Sequence, residues 1–123
     1  MVVGLLSNQA LSNAEVDRVF HALADSTRRD ILARAIEREQ SVSALARHYA
    51  ISLTAVQKHV AVLERAALVS KQRSGREQIV AADRNTLRRA STLLEAFEQL
   101  WIQRATKIAE ILAEADEEEG ESP

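Results

Sequence analysis

Cysteine is absent from the 123 residues, proline occurs once, glycine three times, and aromatic side chains make up only 3%. The missing thiols exclude disulfides, thiolate metal sites, iron–sulfur clusters and cysteine nucleophiles, and they fit a reducing, cytoplasmic setting. So few glycines and prolines cannot supply the tight turns of an all-β fold. No apolar run approaches the roughly 20 residues of a membrane span. Met1–Leu6 is apolar but short and lacks a basic flank, so neither a signal peptide nor a membrane anchor is expected. Gly4 stands away from position two, which myristoylation requires. Helix-forming Ala, Leu, Glu, Arg and Gln dominate instead. The length suits one small, mainly α domain with an adequate but modest core.

Charge of one sign is scarce in two places. The formal net charge is -2, but Glu114, Asp116, Glu117, Glu118, Glu119 and Glu121 gather all the charge after Ala113. Between 41 and 89, nine bases (Arg47, Lys58, Arg65, Lys71, Arg73, Arg76, Arg84, Arg88, Arg89) face only Glu64, Glu77 and Asp83. The chain thus has a basic middle, suited to a polyanion, and an acidic end. The end is expected to be a solvated, disordered tail over 114–123. A sharper alternative is that it repels non-specific nucleic acid.

Periodicity predicts a first helix over about Asn13–Ala24, with Val16, Val19, Phe20 and Leu23 on one face. A second starts at Asp25–Ser26 and runs through Ile31, Leu32, Ala35 and Ile36. Ser41 reads as the cap of a short helix carrying Val42, Leu45, Ala46 and Tyr49, and Ser52 as the cap of a fourth that buries Val56, Val60, Leu63 and Ala67. Leu68–Arg73 and Glu77–Ala82 flank a Ser74-Gly75 turn as a β-hairpin. From Asp83 the chain is helical to about Ala115. Leu87, Leu94, Trp101, Ile108 and Ala115 recur every seven residues, and Ala90, Phe97 and Ile111 form a second seam interrupted by Arg104. Such a seam suggests pairing with a second chain.

Ser43–Leu63 has helix–turn–helix spacing. Ala46 is small where the helices cross, Ile51 is expected to pin the turn, and Val56 and Val60 anchor the second helix. That helix would offer Thr54, Gln57 and Lys58 to a DNA major groove, with the Ser52 hydroxyl free to meet a phosphate. Arg73 and Arg76, on either side of the hairpin tip, would reach adjacent backbone or minor groove. Helix–turn–helix plus basic hairpin is a winged helix: about five helices and a two-stranded wing.

Three separated stretches carry a family resemblance. Phe20-His21-Ala22-Leu23-Ala24-Asp25-Ser26-Thr27-Arg28-Arg29-Asp30-Ile31-Leu32 resembles "F-x-A-L-A-D-P-T-R-R-x-I-L". Val56-Gln57-Lys58-His59-Val60-Ala61-Val62-Leu63 is similar to "V-S-x-H-L-x-V-L", and Glu64-Arg65-Ala66-Ala67-Leu68-Val69 to "R-E-A-G-L-V". Together they resemble the ArsR/SmtB family of bacterial winged-helix repressors over about 14–112. The resemblance implies a homodimer joined by the first and last helices (Val16, Val19, Phe20; Leu94, Phe97, Trp101, Ile108). It also implies repression through an imperfect palindromic operator. Carried over, Ser52, Thr54, Gln57, Lys58 and His59 match the recognition helix and Arg73 and Arg76 the wing. His59 is equally open to a packing role, and Arg28 and Arg29 to a structural pairing with Asp25 or Asp30. The domain layout expected is an N-terminal extension over 1–12, the winged domain with its dimerisation helices over 13–113, and the tail.

The family's metal sensors carry Cys-x-Cys near Val42–Ala44 or Asp and His along the last helix. This chain has neither, and His21, His48 and His59 fall on three different predicted helices. It resembles instead the branch without metal ligands, whose "F-W-x-x-R" stretch corresponds to Leu100-Trp101-Ile102-Gln103-Arg104. Metal sensing and a cofactor are not expected, and any inducer is unknown. Ala50 and Ala67 replace glycines the family often has. Each costs roughly 1 kcal/mol if its φ is positive; otherwise the local backbone differs. No Gly-x-Ser-x-Gly, Walker or His-Glu-x-x-His motif is present, so an enzyme is not expected. The rival reading is a dimeric protein-interaction module using the last helix and acidic tail.

Overall fold

Five short polar side chains decide where the helices begin. Ser12, Asp25, Ser41 and Ser52 each accept a hydrogen bond from the backbone N–H three residues on (Glu15, Arg28, Ala44 and Ala55). Asp83 Oδ1 accepts from the Asn85 and Thr86 N–H groups at 2.9 and 3.3 Å. Each cap satisfies amides that have no partner within the helix. Glu15 also reaches back to the Ser12 N–H at 2.9 Å, closing a capping box. The computed structural model describes residues 10–121. Most of the expected N-terminal extension, with Ser122 and Pro123 of the tail, lies outside the described residues.

The element order is α1 (Asn13–Leu23), α2 (Ser26–Glu37), β1 (Gln40–Ser41), α3 (Val42–Ala46), α4 (Leu53–Arg65), β2 (Val69–Ser74), β3 (Glu77–Ala82) and α5 (Arg84–Glu121). It divides into two compact units, one spanning Leu11–Ala90 and the other containing α5 from Ser91 onward. The first holds the core: Val19, Ile31, Leu45, Val56, Val60, Leu63, Leu68 and Val80 are fully buried. Apolar residues spaced by three and four on α1, α2 and α4 meet there, which is what holds these short helices together.

Several expectations are corrected. The expected two-stranded wing forms as β2 and β3, and β1 adds an unexpected third strand, in the antiparallel order β1-β3-β2. β1 pairs Gln40 with Val80 and Ser41 with Ile79; two residues are too few to show a strand's alternation in sequence. The hairpin closes on the Ser74–Glu77 pair, so its loop is Gly75-Arg76 and Arg76 occupies the tip itself. Gly75 has φ +63° and Arg76 has no positive φ, the pattern of a II′-type loop with glycine first. Ile51 is 42% exposed and does not pin the turn; Val42, Leu45 and Val56 make that packing. Val19 is fully buried in the protomer core, so it cannot form a contact face with a second chain. α5 continues past Ala115 to Glu121.

Ala67 is exposed rather than buried, because it serves as the exit of α4. The Leu68 N–H donates to the Leu63 carbonyl at 3.0 Å and the Ala67 N–H to Glu64 at 2.9 Å, a Schellman arrangement with buried Leu63 and Leu68 in support. It requires a left-handed residue, and Ala67 supplies one at φ 59°. Ala50 has no positive φ, so only one of the two replaced glycines is strained. Ala67→Gly is therefore expected to raise stability by about 1 kcal/mol. A chemical denaturation midpoint that stays put or falls would contradict the strain.

Candidate nucleic-acid interface

The second helix of the helix–turn–helix, α4, is two-faced. Val56, Val60 and Leu63 are wholly buried, while Thr54, Gln57 and Lys58 are exposed. The Ser52 hydroxyl accepts from the Ala55 N–H at 3.1 Å, so its oxygen already serves the helix. The β2–β3 wing stands beside α4 and is tethered to it by Lys71–Glu64, N to O 3.5 Å. Between them runs a crease of about 490 Å³, lined by Leu53, Gln57, Lys71, Arg76 and Gln78 among others. Gln57 and Arg76, from separate predicted elements, thus border one surface. Arg73 is exposed, and its Nε donates to the Gly75 carbonyl at 3.2 Å, which fixes it against its own loop.

His59 is half-buried, with Nδ1 3.4 Å from an Arg28 guanidinium nitrogen. That contact lies within the protomer and favours the packing role left open in the sequence. Arg28 itself is structural. Its side chain is 12% exposed. Nε donates to the Ala22 carbonyl at 2.8 Å and Nη2 to His21 at 2.9 Å. Arg29 donates to the Leu23 carbonyl at 2.7 Å. The two arginines close the C-terminal end of α1, where carbonyls lack helical partners and the helix dipole favours a cation. The expected Asp25 pairing is present at 3.9 Å but secondary. The Arg28 N–H hydrogen bond holds the Asp25 carboxyl below its ordinary range, with the guanidinium adding to the effect against partial desolvation.

A second polar cluster braces the turn. The Tyr49 hydroxyl donates to Asp30, which also accepts from Arg34 Nε at 2.8 Å. These two hydrogen bonds, the tyrosine's first, keep the Asp30 carboxyl below its ordinary range. Burial, then the aspartate partner, pushes the tyrosine up to about 12. The turn after α3 is thereby tied to α2, which orients α4.

Leu53, the first residue of α4, is 46% exposed and lines the crease. Sequence reasoning missed it, because an apolar residue three before Val56 looks like another core position. The packed turn of α4 begins only at Val56.

On α5, Leu94, Phe97, Trp101 and Ile108 are exposed, at 55%, 49%, 68% and 47%. Arg104 lies over the Trp101 ring, 5.6 Å from its centroid. Phe20 of α1 is exposed, whereas Val16 is partly buried and packs against the core. Among the described residues, no group of three or more His, Asp or Glu is placed to hold a metal ion, and no helix is long and apolar enough to cross a membrane.

Comparison with known proteins gives the arrangement its context. A family profile described as a helix-turn-helix domain matches residues 23–72. The HTH-type transcriptional regulator Rv2034 of Mycobacterium tuberculosis is 34% identical over 96 residues, covering 78% of this chain and 87% of its own length. The structure of an ArsR-like transcriptional regulator from Rhodococcus sp. RHA1 superposes with a TM-score of 0.71 at 35% identity, over 80% of this chain and 92% of that one. A homodimeric winged helix-turn-helix DNA-binding domain from Mycobacterium bovis shares the fold, with a TM-score of 0.58 at 24% identity over 73% and 90% of the two chains. The chain belongs to the ArsR-like family of winged helix-turn-helix transcriptional regulators.

Proposed function

We propose that this DNA-binding regulator acts as a homodimeric repressor in the cytoplasm, seated on an imperfect palindrome and working without metal sensing. The observation that carries the reading is the shared surface of α4 and the wing. Thr54, Gln57 and Lys58 are exposed beside the crease that Gln57 and Arg76 line together. A major groove about 12 Å wide admits such a helix, and the flanking guanidinium then meets the adjacent backbone. The metal-free reading draws on the chemistry of the chain: it has no thiol, and His59 is engaged by Arg28.

The second copy is expected on the α5 stripe. About a centre between Ile102 and Gln103, Leu94 mirrors Ile111 and Phe97 mirrors Ile108, while Trp101 mirrors Arg104. Antiparallel pairing sets Leu94 against Ile111 of a second copy and Phe97 against Ile108. It also separates the two acidic ends, which parallel pairing would bring together at an electrostatic cost. Phe20 and the partly buried Val16 remain proposed contacts on α1; the fully buried Val19 does not.

Footprinting on duplex DNA upstream of the gene is expected to protect two tracts with centres roughly 34 Å apart, one helical turn. A single tract, or none at protein excess, would refute the palindrome. Gln57→Ala is expected to weaken the specific site by about 1–3 kcal/mol, if Gln57 pairs with a base edge, while leaving random duplex unchanged. Equal losses on both duplexes would assign Gln57 to the backbone instead.

A further inference from the structure

We infer that Leu53 is a specificity-determining residue that reads a thymine C5-methyl group in the major groove, next to the base pair contacted by Gln57. This rests on the reading of α4 as the recognition helix. Leu53 is the one large apolar side chain that α4 leaves substantially exposed, at 46%. Nearly half of the side chain is left in water, where apolar surface is unfavourable. Its position is not incidental. It stands at the N-terminal end of α4, the end that enters the groove in helix–turn–helix docking. It also lines the same crease as Gln57 and Arg76.

The spacing fits neighbouring bases. Leu53 and Gln57 are four residues apart on one face of α4, about 6 Å along the axis. Successive base pairs are about 3.4 Å apart. Side chains one turn apart on a helix inclined to the groove therefore meet adjacent or next-adjacent pairs. The chemistry fits as well. The major-groove edge of thymine carries an apolar methyl, which an aliphatic side chain can cover, and glutamine pairs bidentately with adenine. Leucine has no donor or acceptor with which to read guanine, cytosine or a phosphate. Leu53 and Gln57 together specify a half-site containing neighbouring A·T pairs. Ile51, also exposed, precedes the cap and lies off this row.

The test uses full-length protein and duplexes enriched by it from a random library. Each thymine of the half-site is then replaced by uracil, which lacks only the methyl. One position is expected to lose about fourfold in affinity for each half-site substituted, the value of a single buried methyl group. Leu53→Ala is expected to bind the thymine duplex at least as weakly and to show no further loss with uracil, whereas Ile51→Ala keeps the uracil penalty. Leu53 does not belong to the buried core, and an unchanged melting temperature in Leu53→Ala verifies that the fold is intact. Indifference of the native protein to every uracil, or a full uracil penalty in Leu53→Ala, would overturn the inference and leave DNA binding standing. Failure to enrich any duplex would overturn the recognition-helix reading and the inference with it.

Discussion

Phe97→Glu/Trp101→Glu is expected to run as a monomer by light scattering and to bind a two-half-site duplex about 10²- to 10⁴-fold more weakly than the native chain. The factor is the gain that a second, tethered binding event supplies. Phe97 and Trp101 are 49% and 68% exposed in the protomer and neither belongs to the buried core, so the substitutions leave that core intact. They place four carboxylates in a dimer seam that would otherwise bury four aromatic rings. Burial of an aromatic side chain contributes roughly 1.5–3 kcal/mol, and an unpaired charge in such a seam opposes pairing further. Far-UV circular dichroism should stay helical, and affinity for an isolated half-site should be unchanged. A dimeric mass in the variant would place the contact between copies elsewhere.

Arg28→Ala is expected to destabilise the fold by about 3 kcal/mol, lowering the melting temperature by on the order of 10 °C. The guanidinium donates to the Ala22 and His21 carbonyls and contacts His59 Nδ1, joining the end of α1 to α4. Hydrogen bonds from a charged donor contribute about 1.5–3 kcal/mol each, and the side chain is largely enclosed. Arg28→Lys should recover little, because one ammonium cannot span the same acceptors in the guanidinium's planar geometry. At equal folded fraction, Arg28→Ala should keep its DNA salt dependence. A lower salt slope with an unchanged melting temperature would make Arg28 a phosphate contact instead.

Arg28 marks the boundary of what the chain reveals before it folds. Its adjacency to Asp25 and Asp30 was visible and suggested local ion pairs. Its main partners are carbonyls of α1, and backbone oxygens leave no trace in sequence. The caps were legible for the opposite reason: Ser12 apart, they stand at the recognised starts of periodic runs and act on amides three residues away. Periodicity also placed Val16, Val19 and Phe20 on one face of α1. It gives direction but not depth, so it could not tell that Val19 lies fully inside while Phe20 remains exposed. β1 is too short to carry a pattern, and its partner strand is some forty residues on. The crease between Gln57 and Arg76 arises from hairpin docking, so its residue types were foreseeable and its membership was not. Leu53 was hidden by its agreement with the core spacing.

α4 and the wing are proposed to form a cationic surface that grips duplex DNA, and affinity for the enriched duplex across a salt series tests this. Lys58, Arg73 and Arg76 from each of two protomers would neutralise about six phosphates, so log K should fall against log salt with a slope near −5. Arg76→Ala should make that slope shallower by about 2 per dimer. A slope indistinguishable from zero, or no binding at low salt, would show that this surface does not grip DNA through phosphate contacts.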